Sequence, residues 1–228
     1  MRIPYLLQFG IGVERQLAKA TTLTVNYFGT RGVSLFRSRD VNAPPPPAYT
    51  VRPDPQYSVW RQIESSAEMM AHSLEFGLRG NLTRYFSGMI QYTLSRTYNN
   101  TGGNPAAGAR SSLNSFPANN YDLSGEWSRA DFDQRHRFNL IGTITPGRYF
   151  KLGVAASLYS GAPYSMTTGR DDNHDGLAND RPSGVPRNSL EGPGYAALDA
   201  RWSRDFYLDR TKKEKGPTVT FGITLSTF

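Results

Sequence analysis

The chain has no cysteine, only three histidines and no long apolar run. The absence of cysteine excludes disulfides, thiol catalysis and thiolate metal sites. The three histidines, His72, His136 and His174, have no serine or aspartate at a spacing typical of a catalytic triad, so we expect a protein that is not an enzyme. No stretch approaches the roughly 18–20 apolar residues of a membrane-spanning helix, which excludes a helical membrane protein.

The charge is unbalanced, with 26 Lys and Arg against 19 Asp and Glu and a net charge of +7. A nucleic-acid-binding protein groups its basic residues on one surface. Here the arginines are scattered, and the lysine cluster at Lys212, Lys213 and Lys215 is typical of a solvated turn. We therefore expect no nucleic-acid partner.

Short segments of alternating apolar and polar residues recur along almost the whole chain. This period of two places successive side chains on opposite faces of a β-strand. It predicts eight strands of about ten residues, the length that a tilted strand needs to cross a bilayer. The alternating cores of these strands are 7–13, 23–27, 74–78, 90–94, 138–144, 150–158, 196–202 and 219–225.

The connections between the predicted strands alternate between short and long. The short ones lie near Leu17–Thr21, Thr83–Tyr85, Pro146–Arg148 and Tyr207–Pro217, and the long ones are Arg37–Ala71, Asn99–Asp133 and Gly161–Gly194. A compact soluble domain seldom has several structureless loops above ~15 residues. Bacterial outer-membrane barrels alternate short periplasmic turns with long extracellular loops. Although Tyr57–Glu64 is extended in pattern, we assign it to a loop, as a hairpin projecting beyond the membrane.

Aromatic residues flank the predicted connections. Tyr85-Phe86, Tyr149-Phe150 and Phe206-Tyr207 lie beside short turns, and Tyr98, Tyr159 and Tyr164 mark the opposite strand ends. Tyrosine favours the membrane–water boundary because its ring prefers hydrocarbon and its hydroxyl prefers water. A soluble β-sandwich with one buried face would show the same alternation, but the loop asymmetry and the aromatic pairs favour the membrane.

The sequence therefore predicts an all-β fold. We expect an antiparallel up-and-down transmembrane β-barrel, in part only, with about eight strands of a larger barrel and long extracellular loops. Residues 1–228 would be part of one barrel domain in the outer membrane of a Gram-negative-type bacterium. With short turns in the periplasm, the last strand would end at Phe228 near the outer surface, so we expect at least one further loop and strand after it. A closed eight-stranded barrel is the structural alternative.

One acidic segment resembles a metal-binding loop. Its candidate ligands for Ca²⁺ are Asp171, Asn173, Asp175 and Asp180. The first three supply oxygen ligands at every second residue, and Gly176 follows where a calcium loop makes its sharp turn. Pro182 stands where the bidentate glutamate is required, so Asp180 is the candidate for the missing carboxylate. The alternative is a polar surface loop stabilised by Asx turns. We expect no other cofactor.

A run of alternating charge leads into the fifth predicted strand. It consists of Arg129, Asp131, Asp133, Arg135 and Arg137. Residues two apart share a face of a strand, so opposite signs could bond across strands in the lumen or at its mouth. A solvated loop base would have the same sequence.

Three motifs resemble a known family. Residues 131–138, Asp-Phe-Asp-Gln-Arg-His-Arg-Phe, resemble the strand entry of TonB-dependent receptors of the Oar-like group. Asp171–Pro182, then Arg187-Asn188 and Leu198–Ser203, are similar to the succeeding loop and strand of that group. Tyr27–Gly32 is similar to one of its early barrel strands.

The resemblance implies a barrel of about 22 strands, plugged by an amino-terminal domain and energised through TonB, which takes up or binds bulky ligands. This chain contains neither a plug nor a TonB box, so it would form part of the later half of the barrel. The expected partners are outer-membrane lipid, the plug domain and the TonB system. A passive porin or small structural barrel, and a calcium-dependent surface adhesin, are the alternatives.

Overall fold

The structure is a computed structural model that describes residues 1–101, 115–147, 150–207 and 218–227. Several predictions concern positions outside the described residues. They are those on Tyr149, on the side chains of Phe206 and Tyr207, on Lys212, Lys213 and Lys215, and on Phe228.

The described part of the chain consists of β-strands and the connections between them. The strands are β1 (Tyr5–Ala18), β2 (Thr21–Asp40), β3 (Arg61–Asn81), β4 (Phe86–Asn99), β5 (Ser128–Arg129), β6 (His136–Gly147), β7 (Phe150–Tyr159), β8 (Pro163–Tyr164), β9 (Leu190–Glu191), β10 (Tyr195–Tyr207) and β11 (Thr218–Thr227). A 3₁₀ turn covers Ser124–Glu126. No helix in this part of the chain is long and apolar enough to cross a membrane.

The long strands form one antiparallel sheet in the order β1-β2-β3-β4-β6-β7-β10-β11. Each pairs with the next long strand along the chain, which confirms the predicted all-β, up-and-down fold and its eight strand positions. Among the described residues, β1 and β11 each have a single neighbour, so the sheet is open, as expected for part of a barrel. In lipid, an unpaired strand edge would leave backbone groups without hydrogen-bond partners, so each edge of a spanning sheet requires a partner strand.

The register of the sheet separates apolar from polar side chains. One row of cross-strand partners runs through Val13, Val25, Phe76, Tyr92, Phe138 and Leu158. The next row runs through Glu14, Thr24, Gly77, Gln91, Asn139 and Ser157. Because paired residues point to the same side of a sheet, we call these sides the apolar face and the polar face. On the apolar face Phe9 is 60% exposed, Ile11 72% and Ile223 58%, as expected of a surface that contacts lipid.

The strands β2 and β3 are longer than predicted. They have 20 and 21 residues, about twice the ~9–11 that a tilted strand needs to cross a bilayer. The predicted connection Arg37–Ala71 is therefore too long, because the chain between these strands is only 41–60. Of the segment Tyr57–Glu64, residues from Arg61 onward belong to β3 and not to the connection, and they pair with Arg37–Asp40 as the hairpin that we expected to project beyond the membrane. The two strands extend this far because charged side chains pair across them. Arg37 lies 2.7 Å from Glu64, and an apolar pattern does not show such a pairing.

All three long connections leave from the same end of the sheet, because successive strands alternate in direction. They comprise residues 41–60, 100–101, 115–135 and 160–194 of the described chain, and we call them the loop layer. Within it, β5 pairs with the end of β4, and β8 pairs with β9.

Two glycines bring β4 and β6 together. Gly88 pairs directly with Gly142. A Cβ added to Gly88 would lie 2.3 Å from the carbonyl oxygen of Ile141 and 2.6 Å from the Cα of Gly142. Both are backbone atoms, so a side chain at Gly88 would separate the two strands.

We expect Gly88→Ala to lower the free energy of unfolding by about 1–3 kcal/mol, the usual effect of overpacking. The matched control is Gly77→Ala, whose Cβ would first meet Thr24 at 3.8 Å, an ordinary contact. The urea concentration at the midpoint of unfolding of the whole protein measures the difference. Unfolding is monitored by gel mobility, which differs between folded and unfolded barrels. Equal midpoints for the two variants would contradict this account.

Candidate functional site

The alternating charges of 129–135 lie at the base of the loop layer. The carboxylate of Asp133 is fully buried, and its Oδ2 accepts a hydrogen bond from Nε of Arg129 at 2.9 Å. Its Oδ1 accepts the backbone N–H of Thr97 at 2.8 Å. Arg135 is 3.8 Å from the same carboxylate. Asp133 therefore bonds to arginines of its own charge run and to the backbone of β4, at the mouth of the sheet.

Arg187 joins two connections to the end of β4. Its Nη1 donates to Oδ1 of Asp131 at 2.8 Å, and its Nη2 donates to the backbone oxygen of Asn99 at 3.0 Å and to the side-chain oxygen of the same residue. Glu126 lies 3.7 Å from Nε. The Arg187 side chain is only 8% exposed. Burial lowers the pKa of Arg187, and the charges of Asp131 and Glu126 oppose that shift. The paired acids hold the guanidinium in its charged form.

Two neighbours strengthen the same junction. Arg181 donates to Oε1 of Glu126 at 2.6 Å. Asn188 donates to the backbone oxygen of Arg129 at 2.8 Å and to Oδ1 of Asp131 at 2.6 Å. The connection 160–194 is therefore fixed to the preceding one by buried, charge-assisted hydrogen bonds, which are stronger than neutral ones.

The first connection is held by a second set of polar contacts. Arg52 donates to Oδ2 of Asp40 at 3.0 Å and to the backbone oxygen of Asp175 at 2.8 Å. Asn120 accepts the backbone N–H of Asp40 at 2.8 Å and donates to Oδ2 of Asp175 at 3.0 Å. The three connections of the loop layer thus form one bonded body.

The segment predicted to bind calcium is part of this body. Each of its four candidate ligands accepts at least one backbone N–H from the segment itself: Asp171 from Asp175 and Gly176, Asn173 from Asp175, Asp175 from Leu177, and Asp180 from Asp172 and Asn173. The contacts of Asn173 and Asp175, each with the N–H two residues further on, are Asx turns of the structural alternative. Gly176 has a φ of 94°, so glycine supplies the turn at the predicted position. Burial raises the pKa of Asp175, and the charges of Asp171 and Asp180 raise it further.

Across residues 1–101, 115–147, 150–207 and 218–227, no three His, Asp or Glu side chains form a group that could hold a metal ion. Calcium binding stays a prediction. If it occurs, titrating CaCl₂ into the whole protein should release or absorb heat, and Asp171→Asn should weaken the affinity about tenfold or more, because it removes a charged ligand. Asp122→Asn, on a neighbouring connection, is the control. The absence of heat would eliminate the calcium-dependent adhesin.

A polar cavity of about 190 Å³ lies inside the loop layer. Arg37 and Ser38 of β2 line it, together with Glu126, Asp131, Arg187 and other polar residues. The Nε of Arg187 and the Oδ1 of Asn179 are buried at its wall and have no hydrogen-bond partner. Since a buried polar atom normally has a partner, this cavity can bind water or a polar group of a ligand.

Most of these residues were missed from the sequence. The alternating charge run and Arg187-Asn188 were noted, but neither gave the partners that the structure shows. No pattern pointed to Arg52, Asn120 or Glu126. Their only common feature is a polar or charged side chain inside a long connection.

Replacement of Arg187 by methionine should loosen the loop layer. Removing one partner of a buried ion pair costs about 3–5 kcal/mol, so we expect proteinase K to cleave 160–194 at least tenfold faster in the whole protein. Arg170→Gln is the control, since Arg170 lies on the same connection, is 79% exposed and contacts Asp172 at 3.7 Å. Cleavage of the Arg187 variant at the wild-type rate would show that its contacts do not hold the layer.

The comparisons with known proteins agree with this architecture. The structure is similar to the outer membrane transporter YddB from Escherichia coli, with a TM-score of 0.58 and 10% identity, over 99% of this chain and 33% of that chain. This chain therefore spans about a third of that transporter, and the likeness concerns the fold alone. No curated protein matches the chain.

A family match gives the assignment. Residues 1–197 match the family described as outer membrane beta barrel domain, which covers most of the chain. The predicted outer-membrane location is thereby confirmed. The chain belongs to the outer membrane beta barrel domain family.

Proposed function

We propose that this chain forms barrel wall and ligand-facing loops of a TonB-dependent outer-membrane receptor that takes up or binds a bulky ligand. The observation that carries the proposal is the loop layer, in which three long connections are bonded into one body at the mouth of the sheet. A large preorganised surface of this kind suits recognition, because little ordering remains to be done when a ligand binds.

Two further observations support the proposal. The solved protein of similar fold is an outer membrane transporter, although this chain matches only a third of its length. The motifs that resemble TonB-dependent receptors also supply the junction of the loop layer, since Asp131, Asp133, Arg187 and Asn188 all bond there.

In this mechanism the chain only binds the ligand and encloses its path. The loop layer would face the cell exterior and capture the ligand, and the wall would enclose the path that opens when TonB pulls on the plug. The plug and the TonB system are partners of this chain in the proposal. We propose no catalytic step, because the barrel and its loops would only bind and enclose the ligand.

The main alternative is a passive porin. The whole protein, in the form in which the cell makes it, should give no steady conductance in planar bilayers, because a plug would fill the lumen. In cells, formaldehyde should cross-link it to TonB. The control is the same formaldehyde treatment of a strain without TonB, in which the cross-linked product should be absent. Steady conductance together with no TonB cross-link would favour the porin and overturn the proposal.

A further inference from the structure

A surface groove of about 470 Å³ lies on the apolar face, close to the loop end of the sheet. Its wall on the loop side carries basic side chains, and its floor carries leucines. The residues that matter here are His72, Arg96, Arg135, His136, Leu74 and Leu94. A groove with cations on one side and hydrocarbon on the other is unexpected on a surface that faces lipid, where an unpaired charge is costly.

The register explains how these side chains meet. His72 on β3 pairs with Arg96 on β4, and Leu74 pairs with Leu94 two residues nearer the short turns. Leu94 also pairs with His136, the first residue of β6. Directly paired side chains lie about 4.5–5.5 Å apart at Cβ. His72 and Arg96 therefore lie immediately on the loop side of the leucines, at the level where the hydrocarbon would end, and His136 lies level with Leu94.

Two tyrosine–histidine pairs hold the imidazole rings. The hydroxyl of Tyr27 is 2.7 Å from Nδ1 of His72, and the hydroxyl of Tyr92 is 2.8 Å from Nδ1 of His136. The rings are stacked, with centroids 6.0 and 6.2 Å apart. Since Nδ1 is occupied in both, Nε2 is the nitrogen that each histidine can offer to another partner.

The two arginines lack a carboxylate of their own among the described residues. Arg96 donates to the neutral hydroxyl of Tyr98 at 2.7 Å, and its guanidinium lies 4.6 Å from the centre of that ring. Arg135 is 3.8 Å from Asp133, but that carboxylate is bonded more closely to Arg129. The Nε of Arg135 is buried without a hydrogen-bond partner. The groove thus has two cations and one shared, distant anion.

We propose that this groove binds the phosphorylated headgroup of a glycolipid in the outer leaflet of the outer membrane. The phosphate would accept hydrogen bonds from Arg96 and Arg135, because guanidinium groups match phosphate oxygens in geometry and charge. The acyl chain would lie on Leu74 and Leu94. Basic side chains next to a membrane span attract anionic headgroups in the same way. An aromatic girdle accounts for the tyrosines but not for the arginines between them.

Native mass spectrometry of the whole protein in mild detergent, with lipid A added, tests the proposal. We expect Arg96→Gln combined with Arg135→Gln to reduce lipid A affinity about tenfold or more, since charge-assisted hydrogen bonds are lost. Arg84→Gln is the matched control, because Arg84 also stacks on a tyrosine, Tyr85 at 5.3 Å, but at the other end of the sheet. Its affinity should equal that of the unaltered protein. Gel mobility reports whether each variant is folded.

A second arm uses the unaltered protein and does not depend on the variants folding. Lipid A without phosphates should bind at least tenfold more weakly than phosphorylated lipid A, and so should phosphatidylglycerol. The proposal would be overturned if either of these two lipids bound as tightly as phosphorylated lipid A. It would also be overturned if the folded double variant bound lipid A like the unaltered protein.

The proposal rests on the orientation given under the proposed function, though not on transport. Because the chain has no cysteine, Leu177→Cys provides one reactive thiol in the loop layer. A membrane-impermeant maleimide should label it on intact cells. Labelling only after the outer membrane is permeabilised would place the groove at the inner leaflet and overturn the assignment to an outer-leaflet glycolipid. The conductance and TonB cross-linking results would be unaffected by that outcome.

Discussion

The backbone hydrogen-bond ladder is the constraint on which the rest of this structure depends. In hydrocarbon an unpaired N–H or C=O costs several kcal/mol, so each strand must find its neighbours. Here every long strand pairs with the next along the chain, from β1 to β11. Because the side-chain period is two, that register also decides which side meets lipid. A slip of one residue between β3 and β4 would pair Glu75 with Tyr92, the present partner of Phe76, and would place the Glu75 carboxylate in the bilayer.

Charge is placed by the same constraint. The loop layer begins where the hydrocarbon ends, and there charged groups become permissible if they are paired. Asp133 and Arg187 are buried, yet each has several partners of opposite charge or matching polarity. Such junctions add specificity more than stability, because desolvation offsets much of the Coulomb attraction. They give three connections a defined arrangement where solvated loops would have many.

The strand pattern was readable from the sequence because lipid and lumen impose alternation residue by residue. The extended pattern of Tyr57–Glu64 did not reveal that β2 and β3 continue through Arg37–Arg39 and Gln62–Glu64, because these residues lie beyond the hydrocarbon and show no continuous apolar side. The loop junction was hidden for a different reason: Arg187 and Asn99 are 88 residues apart, and pairing at that separation leaves no local periodicity. Nothing in the spacing of His72 and His136 indicates that each bonds a tyrosine on the adjacent strand.

The open edges of the sheet bear on how such a protein is assembled. All long-strand contacts join neighbours in the chain, so hairpins can add one after another and loop closure costs little at each step. Until its next neighbour has paired with it, the outermost strand of a growing sheet is a template for any other strand, including one from a second molecule. The order of synthesis and the capture of these edges before they meet another chain would therefore determine whether the protein inserts or aggregates.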